Sequence, residues 1–331
     1  MTASKWCVTG VAGFIGSHLL EALLRQDASV VGVDNLSTGS SGNLEEVRNR
    51  VTPEQWGRFQ FVESDIRQRG PWVTALDGCH WVLHQAAIGS VPRSLEDPAE
   101  THETNVTGFL NVMLAAREAR VTRVVYASSS AVYGDCTDNP AREDRIGAPL
   151  SPYALSKRFN EDYSAVLRRC YGLEAIGLRY FNVFGPRQDP AGAYAAVIPR
   201  WIQAMLAGRE VRIHGDGQSS RDFCPVQTVV HANLTAATAA LSSEAPAVFN
   251  VGLGAATTLN HLFELIRNEV LKARPEAARI TPVHGDFRPG DVRHSCADIQ
   301  RAVQWLGLKA GADFTADLRE TVRWFARHTE G

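Results

Sequence analysis

Gly10-Val-Ala-Gly13-Phe-Ile-Gly16 separates a short β-rich run, Lys5–Thr9, from a helical pattern carried by Ile15, Leu19, Leu20, Leu23 and Leu24. Glycines at this spacing let the backbone turn sharply out of a strand and approach a ligand closely. Strand, glycine turn and helix in that order open a doubly wound α/β sheet. The chain then repeats the alternation. Apolar runs recur at Ser29–Val33, Phe59–Val62, Trp81–His84, Thr122–Ala127 and Glu174–Leu178, with helical patterns over about 98–119 and 151–171. The expected fold is α/β, a Rossmann-type parallel sheet covered on both faces. After about residue 180 the texture changes to Gly-, Pro-, Asp- and Arg-rich loops between shorter helices. The expected division is a dinucleotide-binding domain over 1–180, rejoined by the chain at about 225–255. A smaller C-terminal α/β substrate-binding lobe is expected from 181–224 and 256–331.

A pyrophosphate suits the glycine turn, because a helix N-terminus favours negative charge there. Asp34 lies eighteen residues after Gly16, at the end of the second run. An acid at that place accepts hydrogen bonds from an adenosine ribose and repels a 2′-phosphate, which favours NAD over NADP. Asp65 and Ile66 follow the third run and are placed to meet the adenine. Gln85, Ala86 and Ala87 follow the fourth, where small residues admit backbone close to phosphate and ribose. Asn105 is either a cofactor contact or a satisfied buried amide. Ser128, Ser129 and Ser130 follow the fifth run, at the crevice where open α/β sheets bind ligands. The candidate cofactor set also takes in Phe14, Ile15, Asn35, Ser37, Thr38, Gly39, Ala127, Tyr180 and Val183.

Ser151-Pro-Tyr-Ala-Leu-Ser-Lys157 carries the chemistry. Ser151 is a good N-cap and Pro152 fits the first helical position, so Tyr153 falls in the first turn. Tyr153 and Lys157, four apart, share a helix face. A free tyrosine titrates near ~10, and a nearby ammonium and the helix dipole both favour the phenolate. Composition bounds the partners. The chain has 331 residues, a net charge of −2, 44% hydrophobic residues and 21% charged ones, without a basic run. Neither nucleic acid nor a membrane surface is indicated. No apolar stretch approaches the roughly 20 residues of a membrane span. The start of the chain shows no signal-peptide pattern, and six scattered cysteines read as reduced thiols of a cytoplasmic enzyme. The ten histidines form no ligand-spaced cluster, so no metal is expected.

Gly10–Gly16, Ser129, Tyr153 and Lys157 together resemble the extended short-chain dehydrogenase/reductase family of nucleotide-sugar enzymes. The likeness runs nearly end to end, through Arg179-Tyr-Phe-Asn-Val-Phe-Gly-Pro186 and Arg288-Pro-Gly-Asp291. Within the family the chain is most similar to bacterial UDP-N-acetylglucosamine 4-epimerases of surface-polysaccharide biosynthesis. That subgroup is marked by His84-Gln-Ala-Ala-Ile-Gly-Ser-Val-Pro-Arg93, Arg187-Gln-Asp-Pro190, Gly192–Pro199 and Ser219-Ser-Arg-Asp-Phe223.

The resemblance implies Tyr153 as base, Lys157 as its electrostatic partner and ribose anchor, and Ser129 as the hydroxyl at sugar O4. It implies Asn182, Arg221 and Arg288 on the UDP diphosphate, Asp291 near the uridine ribose, and Ala196 and Val197 around the uracil. Ser295 stands where the family gates the sugar pocket, and a small residue there admits an N-acetyl group. Ser90, Ser130 and Arg93 are placed to reach the sugar, and Arg93 suits a C6 carboxylate. Related dehydratases and decarboxylases carry an acid close to the catalytic hydroxyl. Here Ser130 and Ala131 follow Ser129, so a 4-keto sugar has only its own reduction ahead of it, and return to the other face inverts C4. The implied activity is NAD-dependent 4-epimerisation of UDP-GlcNAc and UDP-GalNAc. The alternatives are the N-acetylated uronic acid, UDP-glucose or UDP-glucuronate, a dehydratase or decarboxylase, and a non-catalytic NAD sensor. The helices at 98–119 and 151–171 imply a homodimer through a four-helix bundle, because Val106, Phe109, Leu110, Val112 and Met113 exceed what one packing face needs.

Overall fold

The computed structural model describes residues 4–190, 195–242, 244–287, 292–309 and 313–328. Fourteen strands occur among them: β1 (Lys5–Thr9), β2 (Ser29–Asp34), β3 (Phe59–Glu63), β4 (Trp81–His84), β5 (Arg123–Ser129), β6 (Ala175–Tyr180), β7 (Val183–Phe184), β8 (Val211–His214), β9 (Ser220–Arg221), β10 (Cys224–Pro225), β11 (Val248–Val251), β12 (Thr257–Thr258), β13 (Pro282–Gly285) and β14 (His294–Ser295). The helices are α1 (Phe14–Arg25), α2 (Ser41–Arg50), α3 (Pro53–Trp56), α4 (Pro71–Ala75), α5 (Val91–Glu96), α6 (Pro98–His102), α7 (Gly108–Glu118), α8 (Pro152–Tyr171), α9 (Val197–Leu206), α10 (Val226–Thr238), α11 (Leu259–Val270), α12 (Gln300–Leu306) and α13 (Phe314–His328).

Seven strands form one parallel sheet in the order β11-β6-β5-β4-β1-β2-β3. Strand order reverses between β1 and β4, and a crevice opens at such a reversal beyond the carboxyl ends of the strands. Alternation along each strand sends side chains to opposite faces. Trp6 and Val8 of β1 join one apolar core with Leu19, Leu20, Leu23 and Leu24 of α1, while Cys7 joins a second with Phe109, Val112 and Met113 of α7. Each of those α1 leucines is fully buried, worth roughly 2 kcal/mol apiece. A third core, from Phe184 to Phe325, is built by α9, α11 and α13 beside the short strands β8 and β13. The remaining short strands pair as β10 with β7 and as β12, β9 and β14.

The helical pattern over 98–119 is not one helix. A π-helical turn, Glu103–Thr107, separates α6 from α7. Such a turn accommodates one extra residue, and these bulges recur at functional sites. Helix α8 starts and stops as its sequence predicts. Ser151 Oγ accepts from Ala154 N at 3.1 Å, Pro152 takes the first position, and Gly172 ends the helix at φ 67°. Among the described residues no helix is long and apolar enough to cross a membrane.

Candidate active site

A cleft of about 1520 Å³ follows the carboxyl ends of the central strands. Its β1 side is the glycine loop. Gly10 has φ +68°, and a Cβ there would fall 2.7 Å from Ala86 N, so β1 and the loop after β4 meet through bare backbone. A Cβ on Gly16 would lie 2.0 Å from Gly10 O. Helix α1 has no side-chain cap and no acid in its first turn, so its leading N–H groups suit a phosphate. Asp34 ends β2 with Oδ2 accepting from Ala12 N at 2.9 Å and Oδ1 from Leu36 N at 2.8 Å. Burial raises its carboxyl above the ordinary range, and these two N–H groups oppose the shift. Asn35, Ser37, Thr38 and Gly39 continue this wall, and Asp65 and Ile66 stand across from them. Asn35 Nδ2 donates to Asp65 Oδ2 at 3.1 Å, while Arg67 holds the Asp65 carboxyl below the usual range.

Strands β4, β5 and β6 supply the opposite wall through Gln85, Ala86, Ala87, Ala127, Ser128, Ser129, Ser130 and Tyr180. Tyr180 Oη donates to Gln85 Oε1 at 3.1 Å, Gln85 Nε2 to Asn233 Oδ1 at 3.1 Å, and Asn233 Nδ2 back to Tyr180 Oη at 2.8 Å. This closed ring ties β4, β6 and α10 beneath the cleft. Ser128 and Ser129 have different occupations. The Ser128 hydroxyl donates to Glu161 Oε1 at 2.5 Å, and Glu161 is held by a bidentate Arg179 at 2.7 and 2.9 Å. That pair is nearly fully buried, with both charges answered. Ser129 Oγ instead accepts from Ala131 N at 3.1 Å and faces the cleft beside Tyr153.

Tyr153 is anchored at both of its main-chain polar atoms. Its N–H donates to Ser94 Oγ of α5 at 3.1 Å, and its carbonyl accepts from Ser156 Oγ at 2.8 Å. Burial raises the phenol above its ordinary range and the Ser129 hydroxyl pulls the other way. The lowered value expected from Lys157 and the helix dipole is therefore not seen. The reason is geometric: Lys157 Nζ lies 5.9 Å from the ring centroid and donates to Ala127 O at 2.9 Å. Lys157 is 4% exposed, and burial lowers its ammonium to about 8.

Asn105 does not line the cleft. Its Oδ1 accepts from Ile88 N at 2.8 Å, and its Nδ2 donates to Ile88 O and Ser156 Oγ at 3.0 and 3.1 Å, so it is the satisfied buried amide of the two expectations. It pins the loop after β4 to the start of α8 from inside the π turn.

Asn182, Val183, Ala196, Arg221 and Ser295 all reach the cleft. Val197 begins α9 and packs against the third core. Arg288 and Asp291 lie outside the described residues, as do 192–194 of the string Gly192–Pro199. Ser90 lines the cleft and caps α5, accepting from Arg93 N. Arg93 lines the cleft and is paired with Glu100 through contacts of 2.7, 3.0 and 3.1 Å, both side chains partly exposed. Sequence reasoning missed Ser94, Glu100, Glu161 and Asn233. Ser94, Glu161 and Asn233 act through contacts between segments remote in the chain, and Glu100 through a turn between two short helices, so no local pattern signals them.

Residues 6–252 match the NAD dependent epimerase/dehydratase family. The chain belongs to that family. As a member of it, the protein takes NAD as its cofactor, and the glycine loop, the uncapped α1 N-terminus and Asp34 fit the dinucleotide. It is 36% identical over 325 residues to UDP-glucose 4-epimerase of Mycolicibacterium smegmatis, covering 98% of this chain and 99% of the relative. In structure it is similar to UDP-N-acetylglucosamine 4-epimerase from Methanobrevibacter ruminantium in complex with UDP-N-acetylmuramic acid. The TM-score is 0.89 and the identity 37%, over 99% of this chain and all of that one. It is also similar to UDP-glucuronic acid 4-epimerase from Bacillus cereus in complex with UDP-glucuronic acid and NAD. There the TM-score is 0.84 and the identity 26%, over 98% of this chain and 99% of that one.

Proposed function

We propose that this family member interconverts UDP-GlcNAc and UDP-GalNAc by inversion at C4 of the sugar, in a pathway leading to polysaccharide. The observation that carries this reading is the convergence of Ser129, Tyr153 and Lys157 on one cleft wall, with Ser130 and Ala131 bringing no acid or base beside them. NAD supplies the two-electron acceptor and donor chemistry at C4. Tyr153 takes the C4 hydroxyl proton and gives it back. The Ser129 hydroxyl orients O4, and Lys157 steadies the negative charge that grows on the phenol. Asn182, Arg221 and Ser295 bind the UDP end and admit the sugar, in a lobe formed by the later part of the chain.

Two observations favour a neutral, N-acetylated sugar. Glu100 neutralises Arg93, leaving that side chain ill-suited to a uronate. Ser295 at the cleft keeps space for a 2-acetamido group. The test is incubation with UDP-GlcNAc, its uronic acid, UDP-glucose and UDP-glucuronate without added NAD, followed by NMR of the products. Interconversion of UDP-GlcNAc and UDP-GalNAc with the highest kcat/KM supports the reading. A higher kcat/KM for a uronate or for UDP-glucose refutes the sugar, and a 4-keto-6-deoxy product or a pentose refutes the reaction.

Self-association through α7 and α8 belongs to the same reading, with a change in the residues responsible. Phe109, Val112 and Met113 are buried within the monomer, so they do not supply the excess apolar surface. On α8, Leu155, Phe159 and Val166 are 54%, 39% and 49% exposed and stand at helical spacing. They make a face suited to a second copy.

A further inference from the structure

Asp222 is completely buried on the substrate side of the cleft, between Arg221 and the start of the loop leading to α10. Its carboxylate joins two other segments. Oδ1 accepts from Leu253 N at 2.8 Å, and Oδ2 accepts from Gly254 N at 3.0 Å and Ala297 N at 3.1 Å. Its main chain joins two more contacts to the same place. Asp222 N donates to Ser295 O at 2.8 Å, and Asp222 O accepts from Asn182 Nδ2 at 3.2 Å. Residues 182, 221–222, 253–254 and 295–297 therefore meet at one side chain and its peptide. Three of the cleft residues assigned to substrate, Asn182, Arg221 and Ser295, are either bonded to Asp222 or adjacent to it. Gly252 closes the arrangement, since a Cβ there would lie 2.8 Å from Asp222 Oδ2.

We infer that Asp222 is a positioning residue for the nucleotide-sugar side of the cleft, fixing Asn182, Arg221 and Ser295 relative to one another without touching the ligand. The inference rests on the UDP-sugar reading above. Among the described residues no hydrogen bond of Asp222 reaches the glycine loop, Ser129 or Tyr153, so its loss is expected to act on substrate binding and spare the chemical step. Charge-assisted hydrogen bonds to a buried carboxylate are strong, and losing their alignment weakens binding by about ten- to hundredfold.

The experiment measures UDP affinity by calorimetry on the NAD-loaded wild type, then UDP affinity, KM, kcat and bound NAD for Asp222→Asn and Gly252→Ala. Asn is isosteric but turns an amide N–H₂ toward backbone donors. The alanine presses on the carboxylate without removing its charge, so it reads the same split if Asp222→Asn does not fold. The expected result is a KM and a UDP Kd raised at least about tenfold, with kcat and NAD content within about twofold of wild type. Unchanged KM, or a kcat and NAD content that fall together with it, overturns the inference. A wild type that does not bind UDP overturns the functional reading instead.

Discussion

Replacing Lys157 with methionine separates what the site needs from what the fold needs. The ammonium is 4% exposed, and its one hydrogen bond is to Ala127 O. Burial lowers its pKa from the ordinary lysine value near ~10.4 to about 8. At 1.36 kcal/mol per unit, holding the charge costs the nucleotide-free protein about 3 kcal/mol at neutral pH. Methionine keeps the apolar stem and abolishes the charge. It also leaves Ala127 O without that donor, at about 1 kcal/mol. Lys157→Met should therefore stabilise the nucleotide-free protein by about 2 kcal/mol at pH 7 while reducing turnover by about 10²-fold or more. The pH dependence has a definite sign. Between about 8 and 10.5 the unfolded chain holds the Lys157 proton and the folded chain does not, so wild-type stability rises with pH across that window. The variant's advantage is full below pH 8 and disappears toward pH 10.5. Urea unfolding followed by fluorescence of the seven tryptophans, at pH 7 and pH 10, gives the comparison. A variant less stable than wild type at pH 7, or a difference that does not narrow with rising pH, refutes the reasoning.

Three further outcomes are expected. Gly16→Ala places a methyl 2.0 Å from Gly10 O and should strip most of the bound NAD, read from the nucleotide released on denaturation; full occupancy contradicts the close approach. Ser94→Ala removes the acceptor for Tyr153 N, costing about 1 kcal/mol as a lost hydrogen bond and lowering kcat more than it raises KM. A change confined to KM counts against the anchoring of the tyrosine. Leu155→Glu combined with Phe159→Glu should convert a dimer to monomers in light scattering, and a wild type already monomeric rules the face out.

Six of the seven sheet strands are legible because each announces itself locally, whereas the sequence marks β11 only as a return of the chain at about 225–255. Apolar runs of the right length are bounded by turn residues, and the glycine loop marks the first crossover. The proposed catalytic trio is readable from local pattern too, since Tyr153 and Lys157 are four apart and Ser129 ends a strand, and all three line the cleft. What escaped was set by tertiary contact. The π turn at Glu103–Thr107 leaves the apolar periodicity on either side intact, so it reads as one helix. Asn105 carries no mark of its pairing with Ile88, and the Arg93–Glu100 pair arises from two helices folding back on each other. The state of Tyr153 also lay beyond sequence. Spacing places an ammonium nearby, but only three dimensions show that burial outweighs it and that Lys157 points to a carbonyl instead.

Both polar main-chain atoms of Tyr153 are pinned by serine hydroxyls, one from α5 and one from its own helix. Only the two torsions of its side chain remain free, and the cleft wall limits those. In the proposed reaction, inverting C4 requires that hydride return to the opposite face of the keto carbon, so the sugar must turn relative to the wall that delivers it. With the tyrosine fixed on that wall, and the dinucleotide held by the glycine loop, that turn falls to the bound sugar. The width of the cleft around the sugar, more than the mobility of the protein, then sets which sugars can turn over within it.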